Sequence, residues 1–355
     1  MRAWIRGRPV DRREAVTAAG RILGKARAPI ICGLAGDVEA IRAAYRLAQH
    51  IGASMDAEGS GALYADLAVL ASHGAMVTTW AETRARADLL LVIGARAGGA
   101  PLLRGVFDSS PIRPIVSTRQ VVSIGSPLIV EEEHHVAVDP AYLPAALGLL
   151  RAVVAGKLPA ANEAATFAKA ADKIKRAKFG VAIYDPGELG ELAIAMLQGL
   201  VKDLNDKARF SSLPLGVSNA SRAALAVGTW MTGEPPRVGF GRFYPEHDPW
   251  RFDAVRLLSS GEADAVLWLA SLPTTSQPPD RGVPTTALLR QAGGGEAEIV
   301  FEVAVPGLDS PGVVFDQRRG TLVHLDAGRP RAAATAACVI DAIRAAIAEE
   351  GSHPC

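Results

Sequence analysis

The chain's seven histidines and three cysteines are its natural candidates for metal, redox or nucleophilic chemistry, and their spacing gives them little of it. Cys32, Cys338 and Cys355 lie far apart and form no CxxC pair, so neither a tetrahedral zinc site nor a local iron–sulfur motif is encoded. Cys32 sits in the apolar run Pro29-Ile30-Ile31-Cys32-Gly33 and reads as a buried, inert thiol. His134 and His135 are consecutive in a strand-like stretch. Strand neighbours point to opposite faces, so the two cannot share one metal without a bend. His73, His135, His247 and His324 are scattered, and no Ser-His-Asp or Cys-His constellation assembles around them. Gly33-x-x-Gly36 before a helix could aim backbone N–H groups at a phosphate. A dinucleotide fingerprint needs a further glycine and a partner acid at the right spacing, so a plain strand-to-helix turn is the better reading.

The elements that would position such residues are more legible. Ala87-Asp88 is followed by Leu89-Leu90-Leu91-Val92-Ile93 and then Gly94. Five large apolar residues without alternation predict a strand buried on both faces, with a glycine that lets the backbone turn sharply or approach a ligand. Ala263-Asp264 followed by Ala265-Val266-Leu267-Trp268-Leu269-Ala270 repeats the pattern. A second pair of echoes is Lys25-Ala26-Arg27-Ala28-Pro29-Ile30-Ile31 and Arg176-Ala177-Lys178-Phe179-Gly180-Val181-Ala182. Each reads as a helix end, a basic-Ala-basic turn and a strand. Asp11 and Glu14 predict a capped helix over 11–26, Asp37 caps another of about 14 residues, and Pro140 opens a helix Tyr142–Val154. Short strands are expected at Ala53–Asp56, Ile115–Ser117, Val121–Ile124 and His134–Asp139, a hairpin over Gly312–Leu325, and a closing alanine-rich helix from Ala332.

These patterns predict an α/β fold of two duplicated, doubly wound, mainly parallel sheet domains. The division falls at the Gly156–Asn162 stretch, giving domains 1–156 and 157–355, with interleaving of the two left open. In the simplest duplication Ile30–Cys32 and Leu89–Ile93 share one sheet, and Val181–Tyr184 and Val266–Leu269 share another. The segment Gly239–Trp250 is dense in aromatics, prolines and polar tips, which suits a functional loop or an interface as well as a packed surface loop.

Composition excludes other classes. Lys+Arg 38 against Asp+Glu 37 leaves no global basic field for nucleic acid, and the acidic run Glu131-Glu132-Glu133 reads as solvated. Hydrophobic content of 49% owes much to alanine, and no apolar segment reaches the ~20 residues that span a bilayer. The N-terminus lacks the apolar core of a signal peptide, so a cytoplasmic protein without membrane contact is expected.

The order of segments resembles the B subunit of formylmethanofuran dehydrogenase, in the molybdopterin oxidoreductase superfamily. The residues carrying the resemblance are Arg84-Ala85-Arg86-Ala87-Asp88 before the strand ending at Gly94, and Phe240-Gly241-Arg242-Phe243-Tyr244-Pro245 with the helix from Phe252. Gly261-Glu262-Ala263-Asp264-Ala265 and Val305-Pro306-Gly307-Leu308 before Gly312 complete it. The shorter, cysteine-poor form is similar to the corresponding subunit of the bacterial formyltransferase/hydrolase complex. That resemblance implies tetrahydromethanopterin-linked one-carbon oxidation in methylotrophs, with formyltransferase, hydrolase and a further structural subunit as partners. It also implies a molybdopterin-type fold and, in the redox members, a cysteine or selenocysteine ligand shortly after the strand ending at Asp56. This sequence has Ala57-Glu58-Gly59-Ser60-Gly61-Ala62 there, without sulfur, and no cluster of cysteines for [4Fe–4S] electron transfer. The expectation is a non-catalytic scaffold subunit without molybdopterin, metal or iron–sulfur cluster. An active molybdenum or tungsten formylmethanofuran dehydrogenase subunit is the alternative. A nucleotide- or thiamine-diphosphate-binding protein is a third reading, which lacks a fingerprint.

Carriers of this family are implied to be furan cofactors with polyglutamyl tails. Arginine forks bind carboxylates bidentately. Arg96 and Arg104 flank the loop after the first buried strand, and Arg242 lies in the aromatic loop. The expectation is that these three hold such a tail or the edge of a partner subunit, against the alternative of solvated or structural arginines.

Overall fold

The computed structural model describes residues 2–107, 119–128, 134–159, 161–274, 276–278, 282–291 and 297–351. The strand expected at Ile115–Ser117, the acidic run 131–133 and Cys355 lie outside them. In chain order the strands are β1 (Ala3–Ile5), β2 (Arg8–Val10), β3 (Pro29–Ala35), β4 (Ser54–Met55), β5 (Leu89–Ile93), β6 (Gln120–Gly125), β7 (His134–Ala137) and β8 (Phe179–Tyr184). They continue with β9 (Arg209–Pro214), β10 (Val238–Gly239), β11 (Glu246–His247), β12 (Ala265–Ala270), β13 (Thr285–Leu289), β14 (Ile299–Glu302), β15 (Gly312–Asp316) and β16 (Thr321–Leu325).

Two compact units result, and they are interleaved. One comprises residues 1–60, 218–316 and 321–355, the other 61–217 and 317–320. Both sides of residue 156 fall in the second unit, where helices Leu143–Val154 and Ala168–Arg176 pack against each other. The chain therefore leaves the first unit after Ser60 and returns at Ser218.

The first unit is built on a nine-stranded mixed sheet in the order β11-β10-β4-β3-β12-β13-β14-β1-β2. Its centre, from β4 through β14, is parallel, and antiparallel strands finish both edges. Alternate residues of the central strands feed two cores. Ile31, Leu267 and Leu269 face Tyr45, Leu47 and Ile343 of helices Val38–Ile51 and Ala336–Gly351, while Ile30, Cys32, Val266 and Trp268 lie on the opposite side. The second unit holds a five-stranded, fully parallel sheet in the order β7-β6-β5-β8-β9. Leu89, Leu91 and Ile93 bury on one face and Leu90 and Val92 on the other, which is why β5 shows no alternation in sequence. The capped helices form as their signals dictate: Asp11 accepts from the N–H groups of Arg13 and Glu14 ahead of helix Arg12–Lys25, and Asp37 caps helix Val38–Ile51.

The strand partnership expected from a simple duplication is overturned. β3 pairs with β12 and β5 pairs with β8, so Ile30–Cys32 and Leu89–Ile93 belong to different sheets, as do Val181–Tyr184 and Val266–Leu269. The repeated motifs supply the physical reason. The Asp88 carboxylate accepts from the backbone N–H groups of Lys178 and Phe179, at 2.9 and 3.0 Å, where β8 begins. The Asp264 carboxylate accepts from Arg27 and Ala28, at 2.8 and 2.9 Å, just before β3. Each Ala-Asp strand is thus latched to the basic-Ala-basic turn from the other half of the chain.

Candidate functional site

Ligands of open α/β sheets sit beyond the carboxyl ends of the strands, where successive strands are laid down to opposite sides. In the second unit that point lies between β5, which leads to β6 and β7, and β8, which leads to β9. Gly94 ends β5 with φ +84°, and a Cβ there would stand 2.5 Å from a carboxylate oxygen of Glu188. The Glu188 carboxylate accepts from the N–H groups of Ala95 and Arg96, at 2.7 and 2.8 Å. Asp185 accepts from Gly187 and Glu188, at 2.8 and 3.2 Å, and a Cβ on Gly216 would run into it. The N–H groups of Ala95, Arg96, Gly187 and Glu188, which could face an anion, are therefore satisfied by the chain's own carboxylates.

In the first unit the corresponding point lies between β3 and β12. Gly33, at φ +82°, lies against the Trp268 ring and the Leu269 carbonyl, and Leu34, fully buried, takes φ +55°. A buried leucine in the left-handed region costs conformational energy that its packing offsets. The Gly33–Gly36 turn is thus filled by apolar side chains, in keeping with a plain strand-to-helix turn. Asp37 caps the next helix through Ala40, at 3.1 Å, and burial pushes its carboxyl above the ordinary range.

One charged cluster escaped sequence reasoning. Asp56, 1% exposed, accepts from the N–H groups of Ala57 and Ala254, at 2.8 and 3.0 Å. The buried Arg237 guanidinium stands 3.4 Å from Asp56, 2.5 Å from Asp253 and 3.1 Å from the Ser60 hydroxyl. Burial pushes the Asp56 carboxyl up to about 6, with Asp253 adding to the rise and Arg237 opposing it. The available signal was Asp56 itself, an acid closing a short apolar strand. Nothing in the sequence pairs it with an arginine 181 positions away in the chain, from 237 − 56.

The arginines expected to bind anions are placed as follows. Arg96 is exposed, in helix Ala95–Gly98, with its backbone N–H on Glu188. Arg104 lies in helix Pro101–Phe107, and its side chain is outside the described residues. Both belong to the second unit. Arg242 belongs to the first, in the turn between β10 and β11, with Glu246 and the Tyr244 hydroxyl each 3.3 Å away. Around it Phe243 is 70% exposed at φ +65°, Tyr244 51% and Trp250 71%. Arg256 lies 4.4 Å from the centre of the Trp250 ring and is itself paired with Glu262 at 2.5 Å. Asp248 accepts from the N–H groups of Trp250 and Arg251. The Tyr244 hydroxyl is thus bonded to Arg242 and one face of Trp250 is covered by Arg256, while the Phe243 ring stands largely in solvent.

No family model matches the chain. Over 362 residues it is 42% identical to the B subunit of the formyltransferase/hydrolase complex Fhc of Methylorubrum extorquens, covering 99% of both chains. The chain belongs to the family of formyltransferase/hydrolase complex B subunits. A chain of the crystal structure of the FhcABCD complex of that organism, determined with methylofuran, superposes with a TM-score of 0.90 at 42% identity, covering 99% of this chain and 100% of that one. A more distant relative is the B subunit of the tungsten-containing formylmethanofuran dehydrogenase 2 of Methanocaldococcus jannaschii, 27% identical over 288 residues, which are 74% of this chain and 65% of that protein.

The tungsten of that distant relative does not fit the residues that this family member has at the end of β4. Asp56 is followed by buried Ala57, and its carboxylate already faces a guanidinium and two backbone donors. A cation would compete there with Arg237, and Ala57 to Ala62 supply no sulfur ligand. Burial, with Asp56 adding, raises the Cys32 thiol far above its ordinary range, and Cys338 lies exposed near the start of helix Ala336–Gly351. Among the described residues no group of three or more His, Cys, Asp or Glu side chains could hold a metal ion, and no helix is long and apolar enough to cross a membrane.

Proposed function

We propose that this chain is the non-redox scaffold subunit of a cytoplasmic formyltransferase/hydrolase complex in tetrahydromethanopterin-linked one-carbon metabolism, on the route from formaldehyde to formate. It organises the partners that transfer and hydrolyse the formyl group, carries no molybdopterin, metal or iron–sulfur cluster, and contributes no catalytic residue. The observation that supports this reading is that the Glu188 carboxylate takes the backbone N–H groups of Ala95 and Arg96 just beyond β5, donors that an anionic ligand at that turn would need. In the same reading the loop bearing Phe243, Tyr244 and Trp250 is the surface on which a partner subunit docks. Exposed aromatics supply the usual anchors of an interface. Arg96, Arg104 and Arg242 are assigned to the carrier's polyglutamyl tail or to the partner's edge.

Co-expression with the other subunits, followed by affinity purification on a partner, tests the proposal. Phe243→Ala and Trp250→Ala together are expected to cut recovery of this chain at least tenfold while leaving its thermal midpoint unchanged. Undiminished recovery removes the loop from the reading. Alanine at Arg96, Arg104 or Arg242 is expected to weaken carrier affinity or recovery, and normal values in all three discard that assignment.

A further inference from the structure

We propose that segment 75–79 of the second unit is a self-complementary sheet edge, and that its occupant is the same edge of a second copy of this chain, paired antiparallel about a twofold axis at Val77. β9 is the last strand of the five-stranded sheet, and beyond it Val77 forms a parallel bridge with Ser212. The Met76 carbonyl accepts from the Ser212 N–H at 2.7 Å and from the Ser212 hydroxyl at 3.2 Å, and the Thr78 N–H donates to the Ser212 carbonyl at 3.0 Å. Those bonds engage inner groups of the segment. The N–H and C=O of Val77 point the other way and make no hydrogen bond among the described residues. Alternation puts the groups of Ala75 and the N–H of Thr79 on the same outer side. The site lies within one unit and does not depend on the scaffold reading.

Open edges pair with other chains unless something blocks them. The first unit blocks both ends of its sheet: β2 carries Arg8 and Pro9, and β11 carries Glu246 and His247. Segment 75–79 has no charge and no proline. Val77 is 61% exposed, and Leu70 and Met76 are exposed as well. The neutrality extends along the chain. Between Glu58 and Glu82 the one formally charged side chain is Asp66, which accepts from the Tyr184 hydroxyl at 2.6 Å, whereas 21% of the whole chain is charged. Helix Ser60–His73, inside that stretch, has apolar residues on every side rather than in one stripe. Depletion of charge is the compositional mark of an interface core. It also chooses the occupant. Near a twofold axis each residue faces its own copy, so a charge there meets its like, and a neutral edge is the kind that can pair with itself. The backbone dipoles are complementary in that arrangement. Val77 of each copy exchanges two bonds with Val77 of the other, and each Thr79 N–H reaches the Ala75 carbonyl opposite. The Thr79 carbonyl is already taken by the N–H and hydroxyl of Thr83, which ends the pairing there. Contact of this size makes a reversible dimer rather than a permanent one.

Analytical ultracentrifugation of the purified full chain over a range of concentrations tests this, with a reversible monomer–dimer equilibrium expected. Val77→Glu sets two carboxylates face to face, and Val77→Pro removes an outward N–H without touching the bonds of Met76 and Thr78 to Ser212. Each should weaken dimerisation at least tenfold, and thermal midpoints of the variants check that the fold persists. Oxidative cross-linking reads the register, with Cys338 and Cys355 replaced by serine. Val77→Cys should give a disulfide-linked dimer, because paired residues of such a ladder have Cα atoms about 5.5 Å apart. Thr79→Cys alone should not, since its copy lies roughly 13 Å away along the strand. Ala75→Cys combined with Thr79→Cys should restore the linkage. A monomer at every concentration, equal linkage of Val77→Cys and Thr79→Cys, or linkage of Val77→Cys to a different subunit in the purified complex overturns the proposal.

Discussion

Asp88 and Asp264 do the same work in the two units, each holding the first backbone donors of a neighbouring parallel strand. The far ends of the same strand pairs differ. Beyond β5 and β8 the turn is closed by the Glu188 carboxylate on two backbone donors, whereas beyond β3 and β12 it is closed by Leu34 and Trp268. One architecture thus closes its ligand crevice in two ways, one polar and local, the other apolar and continuous with the core. The apolar closure stands in the same unit as the buried cluster of Asp56, Arg237 and Asp253.

The largest effect that would sharpen this contrast is expected from Arg237→Ala. It leaves Asp56 and Asp253 without their shared cation, and breaking a buried pair from one side costs on the order of 3–5 kcal/mol. Urea unfolding measures it, and a loss below about 1 kcal/mol would show that the cluster contributes little to the first unit. Next come the latches. Asp88 is buried and Asp264 exposed, so Asp88→Ala should cost about 2 kcal/mol and Asp264→Ala about half of that, because water replaces the lost acceptor only at the exposed site. Equal losses would erase the distinction between the two.

The smallest effect concerns pH. The folded-state carboxyl of Asp56, raised to about 6, lies above its unfolded value near 4, so the folded protein binds the proton more tightly between those values. Its contribution to stability is therefore largest below about pH 4 and is lost as pH rises through 6. Relative to Asp56→Asn, the unsubstituted protein should gain about 1 kcal/mol between pH 7 and pH 5. A constant difference between the two proteins over that range would place the Asp56 carboxyl in the ordinary range.

Much of the fold was legible from local rules. Helices Arg12–Lys25 and Val38–Ile51 follow from Asp11 and Asp37, the 312–325 hairpin appears where patterning puts it, and β5 and β12 announce themselves as apolar runs. Strand partnership was not legible, because two similar halves specify which segments are strands without saying which copies pair. That choice rests on Asp88 reaching Phe179 and Asp264 reaching Ala28, contacts 91 and 236 residues apart in the chain. The site shows the same limit. Missing sulfur after Asp56 was readable from residue types alone, whereas Arg237 beside Asp56 and Glu188 at Ala95 depend on tertiary placement.

That this chain organises a complex without redox chemistry of its own is tested most directly by metal analysis of the complex, purified under anoxic conditions from cells supplied with molybdate and tungstate. The account predicts far less than one molybdenum or tungsten atom per copy of this chain, with formyltransferase and hydrolase activities intact. About one such atom per copy, lost when Asp56 or its neighbours are replaced, would contradict it.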